Sequence, residues 1–343
     1  MSGGATHMRR EIGEIPGAVA RLLARSGDAL AEAGAELRAR DPLVIVTIAR
    51  GSSDHAAAYL KYAIELTRGI PTASLGPSIA SIYGARLRLP QAAAIAISQS
   101  GKSPDLVRMT ETAAAGGAVT LAITNTPGSQ LADVCDRVID IAAGTELSVA
   151  ATKTFVSSIV AGLGLLAHWS EDRALLDALE ALPERLEAAI ACDWSALAEG
   201  LDGESSLFIL GRGPSLAIAN EAALKFKETS GFHAEAYSGA EVMHGPVSLV
   251  GRGFPILALT ARDAAEENGV ATADALAEKG ASVFSTSAAV SAARKLPFAS
   301  TGHPLTDPLA LVVSFYSFIE SFARRRGMDP DRPVNLRKVT ETQ

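Results

Sequence analysis

Ala92-Ala93-Ala94-Ile95-Ala96-Ile97-Ser98-Gln99-Ser100-Gly101-Lys102-Ser103-Pro104-Asp105 is the stretch from which the rest of the chain is read. Its first six residues form an unbroken apolar run, the mark of a strand buried on both faces in a parallel sheet. From Pro104 to about Ala115 the composition is helical. Ser103 suits the N-cap, Pro104 the first helical position, and Asp105 the positive end of the helix dipole. A strand, a short hydroxyl-rich turn and a helix N-terminus make a ready anion site. Ser98, Ser100 and Ser103 each carry an O–H for a phosphate oxygen, and Gly101 permits close backbone approach. The competing reading of the hexapeptide is an ordinary serine-rich loop. Gly101-Lys102-Ser103 also imitates the end of a nucleotide P-loop, but that motif needs glycine where Ala96 stands, and the turn is too short to wrap a triphosphate.

Outward from this stretch the alternation continues. Residues 9–40 read as helix, with Pro16 near an early boundary. Leu43–Ile48 is a strand ending at Ala49-Arg50-Gly51-Ser52-Ser53, followed by a helix over about 54–67 that Gly69 and Pro71 close. Val119–Thr124 is a third strand. Asn125-Thr126-Pro127-Gly128 then turns into a short helix near 130–135, and Val138–Ile141 is a fourth strand. Gly144-Thr145-Glu146 opens a long helix from about Ser148 to Trp169. Strands alternating with helices predict an α/β protein with a doubly wound parallel sheet and ligands at the strands' C-terminal ends.

Residues 170–200 read as a helical connector interrupted by Pro183, after which the pattern restarts. Leu207–Leu210 is a strand ending at Gly211-Arg212-Gly213-Pro214-Ser215, and a helix runs from Leu216 to about Thr229. Setting Arg50-Gly51 against Arg212-Gly213 gives an offset of 213 − 51 = 162 residues, about one domain length. Phe254–Thr260 and Ser282–Thr286 repeat the second and third strands, and the last long helix covers about Pro308–Arg325. The chain therefore reads as two doubly wound domains in tandem, 41–169 and 201–328, with helical segments at 9–40 and 170–200 and a tail at 329–343. It resembles a duplicated sugar-isomerase-type (SIS) domain. The halves are chemically unequal: Thr260-Ala261-Arg262-Asp263 stands where the first half has its Ser-Gln-Ser-Gly turn. One phosphate pocket per chain is expected, in the first half.

Composition sets the outer bounds. With 48% hydrophobic and 20% charged residues over 343 positions, the chain has the makings of well-filled cores. A net charge of −7 speaks against nucleic acid or an anionic membrane as partner. Two cysteines, Cys135 and Cys192, make no disulfide framework, and the chain reads as cytoplasmic with both thiols buried or inert. No apolar run reaches the length of a membrane span, and no signal peptide precedes the first helix.

The second half supplies the reactive candidates. Glu221, Lys225 and Glu228 fall at i, i+4 and i+7 of a helix, on one face. Taken alone, they read best as a solvated salt-bridge face. His233 reads as a packed polar residue. His244, ahead of Gly245-Pro246, is held in a turn where it is either a proton-transfer group or an ordinary surface residue. No Cys, His and carboxylate set has metal-site spacing, and the serines lack the partners of a nucleophile. Lys338 in the tail is a surface lysine unless it folds into a cleft, where a desolvated amine can attack a carbonyl carbon.

Taken in order, these pieces resemble the isomerase half of glutamine–fructose-6-phosphate aminotransferase. The resemblance rests on Ser98-Gln-Ser-Gly, Gly144-Thr-Glu with Ala151-Thr-Lys-Thr-Phe, Leu210-Gly-Arg-Gly, and Glu221-Ala-Ala-Leu-Lys-Phe-Lys-Glu228. It continues in His233-Ala-Glu-Ala-Tyr, His244-Gly-Pro and Pro333-Val-Asn-Leu-Arg-Lys338. It implies that Gly51, Ser52, Ser53, Ser98, Gln99, Ser100 and Ser103 hold the sugar phosphate and nearby hydroxyls, with Val149 lining the pocket. It further implies that Glu228 shuttles a proton between the first two sugar carbons and that Lys338 forms a Schiff base with the open-chain ketose. Lys225 would polarise the reacting oxygens and Glu221 orient its neighbours. His244 would open the ring from the neighbouring subunit of a homodimer. No redox or metal cofactor is implied.

The departures shift the expected chemistry. The synthases carry an N-terminal glutaminase domain, and here fewer than fifty residues precede the first strand. Ala151 replaces a serine of the synthases, and Arg337 stands where they have a small residue. The expectation is a glucosamine-6-phosphate deaminase. A fructosamine-6-phosphate deglycase, a galactosamine-6-phosphate deaminase or isomerase, and an ammonia-dependent synthase are the other enzymes of the same chemistry. A sugar-phosphate-sensing regulator is the non-enzymatic alternative, although residues 1–40 are too short and too weakly basic for a DNA-binding domain.

Overall fold

A computed structural model describes residues 5–336 and 338. Contacts divide the chain into two compact units. The first comprises Gly17–Glu146 and Lys153–Glu180; the second takes the residues up to Pro16, Leu147–Thr152, and Ala181–Lys338. Helix α1 (His7–Gly13) thus belongs to the second unit, and α2 (Ile15–Arg40), with Pro16 in its first turn, mostly to the first.

In the first unit, α2 leads to β1 (Val44–Ile48), α3 (Ser52–Arg68), β2 (Thr72–Ser74) and a single helical turn, α4 (Ser78–Ser81). Then follow β3 (Ala92–Ser98), α5 (Pro104–Ala115), β4 (Val119–Thr124), α6 (Gln130–Asp133), β5 (Arg137–Asp140) and α7 (Lys153–Ser170). The five strands are all parallel in the order β2-β1-β3-β4-β5. Every residue of β3 is buried, and its alanines Ala94 and Ala96 pack with Val46, Met109 and Leu131. Close helix contacts explain two small residues. A Cβ on Gly162 would fall 2.3 Å from the Leu60 methyls, and one on Gly34 would fall 2.7 Å from His168 Cβ.

The expected helix from Ser148 is corrected: α7 begins at Lys153. Glu146 turns back to accept from Thr154 N–H at 3.2 Å and from its hydroxyl at 2.7 Å, capping the helix there. Lys153 Nζ donates to Thr145 O at 2.5 Å. The residues skipped, 147–152, form a loop.

α8 (Arg173–Ile190) runs through Pro183 without the expected break, giving up one backbone hydrogen bond. In the second unit α9 (Ser195–Gly200) precedes β6 (Ser206–Gly211), α10 (Pro214–Ser230), β7 (His233–Ser238) and β8 (Pro255–Ala258). α11 (Glu266–Glu278), β9 (Ser282–Ser285), β10 (Arg294–Lys295) and α12 (Asp307–Arg325) complete it. This sheet has the order β10-β9-β8-β6-β7, again wholly parallel and the same winding as the first. The duplication is closest in the first βαβ turn. Gly51 and Gly213 precede α3 and α10 with nearly identical torsions (φ 57°, ψ −134° and φ 58°, ψ −136°), accessible to glycine alone. The capping glycines Gly69 and Gly231 are also 231 − 69 = 162 residues apart.

Phe226 of α10 centres an aromatic cluster with Phe232, Phe315, Phe318 and Phe322, at centroid separations of 5.5–5.9 Å. Each such buried ring contributes about 1.5–3 kcal/mol by burial. Three strands absent from the sequence reading, β2, β7 and β10, all stand at sheet edges. His233 opens β7 and is exposed, not packed, with Nδ1 2.8 Å from Ser206 Oγ. Among the described residues, no helix is long and apolar enough to cross a membrane.

Candidate active site

The turn after β3 stands at the centre of the first sheet, where strand order reverses and ligands of such folds bind. Gly101 has φ 60°, and a Cβ there would lie 2.0 Å from Ser129 Oγ. Its necessity is thus packing as well as backbone conformation. The carbonyl of Gly101 accepts from Leu131 N–H at 3.1 Å, and that of Gln99 from Asn125 N–H at 3.2 Å, tying the turn to the loop after β4. Ser98 Oγ accepts from Gly101 N–H at 3.2 Å and Ser100 Oγ from Lys102 N–H at 3.4 Å. A hydroxyl that accepts in this way keeps its own proton to donate, as phosphate recognition requires. Ser103 occupies the N-cap of α5, but its side chain makes no capping hydrogen bond, correcting the capping role expected of it. Gln99 also lines a polar cavity of about 460 Å³ with Asn125, Thr126, Gly144 and Glu146.

The loop after β1 carries Gly51, Ser52 and Ser53 into the first turn of α3. Arg50 fixes this loop to the Ser98–Ser103 turn, its Nε donating to buried Asp105 Oδ2 at 2.5 Å. At the matching strand end of the second unit the described residues line a small hollow instead. Thr286 Oγ1 accepts from Thr260 N–H at 2.8 Å and donates to Thr260 O at 2.9 Å. The hollow lined by Leu210, Ser215 and Thr260 has about 20 Å³, room for roughly one water.

In the second unit the solvated-face reading of Glu221, Lys225 and Glu228 is overturned. Glu221 and Lys225 have fully buried side chains, and Glu228 is 21% exposed. Lys225 Nζ lies 3.1 Å from Glu221 Oε1 and 2.6 Å from Glu228 Oε2. Tyr316 of α12 donates its hydroxyl to Glu221 Oε1 at 3.1 Å. Burial works against the lysine's charge, but the two carboxylates outweigh it and hold the ammonium's pKa above the ordinary value. Lys225 therefore has no surface for a substrate oxygen; Glu228 is the member of the trio open to one.

Lys338 folds back onto the loop at 147–152, where Nζ donates to Ser148 O at 2.7 Å; Val149 is the next residue of that loop. The loop is itself gripped by Glu11 of α1, a buried carboxylate that accepts from the N–H groups of Leu147 and Ser148 and from the Ser148 hydroxyl. His244 ends an exposed 3-10 turn, Glu241–His244, followed by a second at Pro246–Leu249. Arg337 lies outside the described residues. Glu11 and Tyr316 are the site residues that sequence reasoning missed. A carboxylate in the otherwise apolar face of α1, beside Met8 and Ile12, was the one available signal for Glu11. Cys135 and Cys192 are half-buried rather than buried, and burial above all pushes the Cys135 thiol up to about 12.

Known proteins resemble this chain in sequence and fold. Glutamine–fructose-6-phosphate aminotransferase (isomerizing) of Symbiobacterium thermophilum is 34% identical over 371 aligned positions, covering 98% of this chain and 59% of that protein. The chain thus spans about three fifths of the length of such relatives. The crystal structure of a Silicibacter pomeroyi DSS-3 protein, named provisionally as a phosphosugar isomerase, is 58% identical with a TM-score of 0.93. It covers 95% of this chain and all of that one. The C-terminal domain of glucosamine-fructose-6-phosphate aminotransferase from Francisella tularensis shares the fold, with a TM-score of 0.84 at 24% identity over 96% of this chain and 99% of that one. The family model of the SIS domain matches residues 40–167 and again 201–295, and the chain belongs to the SIS domain family.

Proposed function

We propose that this chain acts on the open-chain form of a phosphorylated amino sugar, and that it is a glucosamine-6-phosphate deaminase. The observation that carries the reading is the trio on α10: one carboxylate, Glu228, is open to a substrate, and a wholly buried lysine fixes its orientation. A rigidly held carboxylate with one exposed edge suits the movement of a proton between neighbouring carbons. The names of the relatives, which act on fructose 6-phosphate or are called phosphosugar isomerases, support the substrate class.

In this reading the phosphate is taken by the hydroxyls of Ser98, Ser100, Ser103 and Ser53, with Gly51, Ser52 and Gln99 completing its surroundings. Val149 lines the sugar's side. His244 opens the ring, leaving an aldehyde at carbon 1 and the amine at carbon 2. Glu228 removes the proton from carbon 2 and returns one to carbon 1, while a proton passes from the nitrogen to the carbon-1 oxygen, giving a carbon-1 alcohol and a carbon-2 imine. Lys338 adds to the imine carbon and displaces ammonia, and water then hydrolyses the lysine imine, releasing fructose 6-phosphate and restoring the lysine amine. Lys225 orients Glu228, Glu221 orients Lys225, and Lys338 is the amine that exchanges with the carbon-2 imine. Run toward ammonia release, the reaction needs water alone as co-substrate. Phosphate binding remote from the reacting carbons supplies the energy that holds the open chain.

The exposed position of His244 suits a role on a neighbouring copy's substrate, which makes the working unit a homodimer. Mixing a Glu228→Gln and a His244→Ala variant should then restore part of the activity that each lacks.

The deciding experiment measures ammonia release from glucosamine 6-phosphate, with galactosamine 6-phosphate and a fructosamine 6-phosphate alongside. Release from the first, with fructose 6-phosphate appearing in step, is expected. Release from another alone would retain the chemistry and change the substrate. Tight binding with no release from any would overturn the reading in favour of a sensor.

A further inference from the structure

α1 holds three parts of the second unit at once. Its N-terminal N–H groups, those of His7 and Met8, donate to the Asp331 carboxylate of the tail at 2.6 and 2.8 Å. One turn of α12 anchors it from the side. Arg9 donates to Glu320 through Nε at 2.9 Å and Nη2 at 2.6 Å, and the N-cap Thr6 hydroxyl donates to the same carboxylate at 2.9 Å. Glu320 is wholly buried, so this ion pair is a fixed point rather than a loose surface contact.

From that base Glu11 reaches the loop at 147–152. It gives one carboxylate to the N–H groups of Leu147 and Ser148 and to the Ser148 hydroxyl, and the carbonyl of the same Ser148 receives Lys338 Nζ at 2.7 Å. The tail is thus held twice, by Asp331 at the start of α1 and by Lys338 through the loop that Glu11 orients. We propose that Glu11 is a positioning residue for Lys338: it fixes the Ser148 carbonyl, and with it the direction of the tail amine and the place of Val149. The proposal rests on the reading that gives Lys338 its chemistry. Its geometry involves α1, the 147–152 loop and the tail alone, all within the second unit.

The test is competitive acetylation of the lysines in the intact protein, read peptide by peptide by mass spectrometry. Exposed Lys279 serves as the internal reference and buried Lys225 as the control for the fold. Releasing one net hydrogen bond from the amine should speed labelling of Lys338 about fivefold over Lys279 in Glu11→Ala. Glu11→Gln keeps the shape and one accepting oxygen for the loop's N–H groups, and should bring the ratio back to within about twofold of the wild type. A ratio unchanged in Glu11→Ala, or raised equally in Glu11→Gln, overturns the proposal. Should Glu11→Ala also expose Lys225, Ser148→Ala decides, because it removes the hydroxyl arm of the grip, together with that hydroxyl's bond to Ala150 O, and leaves the loop's N–H bonds to Glu11 in place. A rise at Lys338 then supports the proposal, and a wild-type ratio overturns it. A wild type inert toward amino-sugar phosphates, with the labelling shift present, would remove the functional reading and leave the positioning intact.

Discussion

Replacing Lys225 by methionine keeps most of the side chain's length and removes a charge lying 3.1 Å from Glu221 and 2.6 Å from Glu228. Glu221 would stay wholly buried and keep the Tyr316 hydroxyl, but lose the Lys225 ammonium. Removing one partner of such a pair costs about 3–5 kcal/mol, because the remaining carboxylate has lost both water and cation. At roughly 2–4 °C per kcal/mol, the second unit should melt about 10 °C lower. The two tryptophans separate the units, since Trp169 lies in the first and Trp194 in the second. Fluorescence of Trp194 in a Trp169→Phe background therefore reports on the unit in question. Adding Glu221→Gln to Lys225→Met removes the buried charge that has lost the lysine and should recover part of the loss. The ammonium's pKa is raised in the folded protein, so its stabilisation is complete below the unfolded value of about 10.4 and fades only as pH climbs through the folded value. The gap between wild type and variant should accordingly stay constant from pH 7 to about 10 and narrow only above the unfolded value of about 10.4. A shift under roughly 2 °C, with no recovery in the double variant, would mean that the lysine is not a buried counter-ion at all.

Glu228→Gln should lower turnover by about 10²–10⁴-fold while phosphosugar binding, read by calorimetry, changes little; equal loss of both would remove Glu228 from proton transfer. Gly101→Ala must place a Cβ 2.0 Å from Ser129 Oγ at φ 60°, and should cost roughly 2–5 kcal/mol, read as a lower melting of Trp169 fluorescence in a Trp194→Phe background. Unchanged melting would show that the turn relaxes freely. Asp274 accepts from the N–H groups of Ala293, Ser291 and Ala292 and from the Ser291 hydroxyl, which holds its carboxyl well below the usual carboxylate range. Its contribution is present above the unfolded value of about 4 and fades as pH falls below it, so Asp274→Asn should destabilise at pH 7 by more than at pH 3. An equal deficit at both would assign the loss to packing.

How far the sequence reaches follows from where the apolar residues lie. β3 and β4 are buried throughout; a continuous apolar run marks β3, Val-Thr-Leu-Ala-Ile marks β4, and Ser103-Pro104-Asp105 marks the start of α5 to the residue. β2 and β7 lack that mark because they are edges: Thr72–Ser74 and His233–Ser238 each leave most side chains partly or fully open. The onset of α7 is decided by Glu146, which caps Thr154 from eight residues upstream, a contact no propensity anticipates. Glu11 is harder still, since its partners are 136 and 137 residues away.

The misreading of Glu221, Lys225 and Glu228 has a different cause. A spacing of i, i+4, i+7 establishes one face, not which way it points, and a charged face ordinarily points outward. α10 is an exception that its own composition declares. Ala217, Ile218, Ala219, Ala222, Ala223 and Phe226 are buried on its other sides, and Lys227 is its one exposed residue. A helix buried on nearly every side is an interior helix. Any charges on it must then be paired within the core, at the cost of desolvation that only hydrogen-bonded partners offset. Such a trio is a poor way to gain stability, and that is the argument for the role proposed for it: it holds one carboxylate still at the edge of the core, partly exposed.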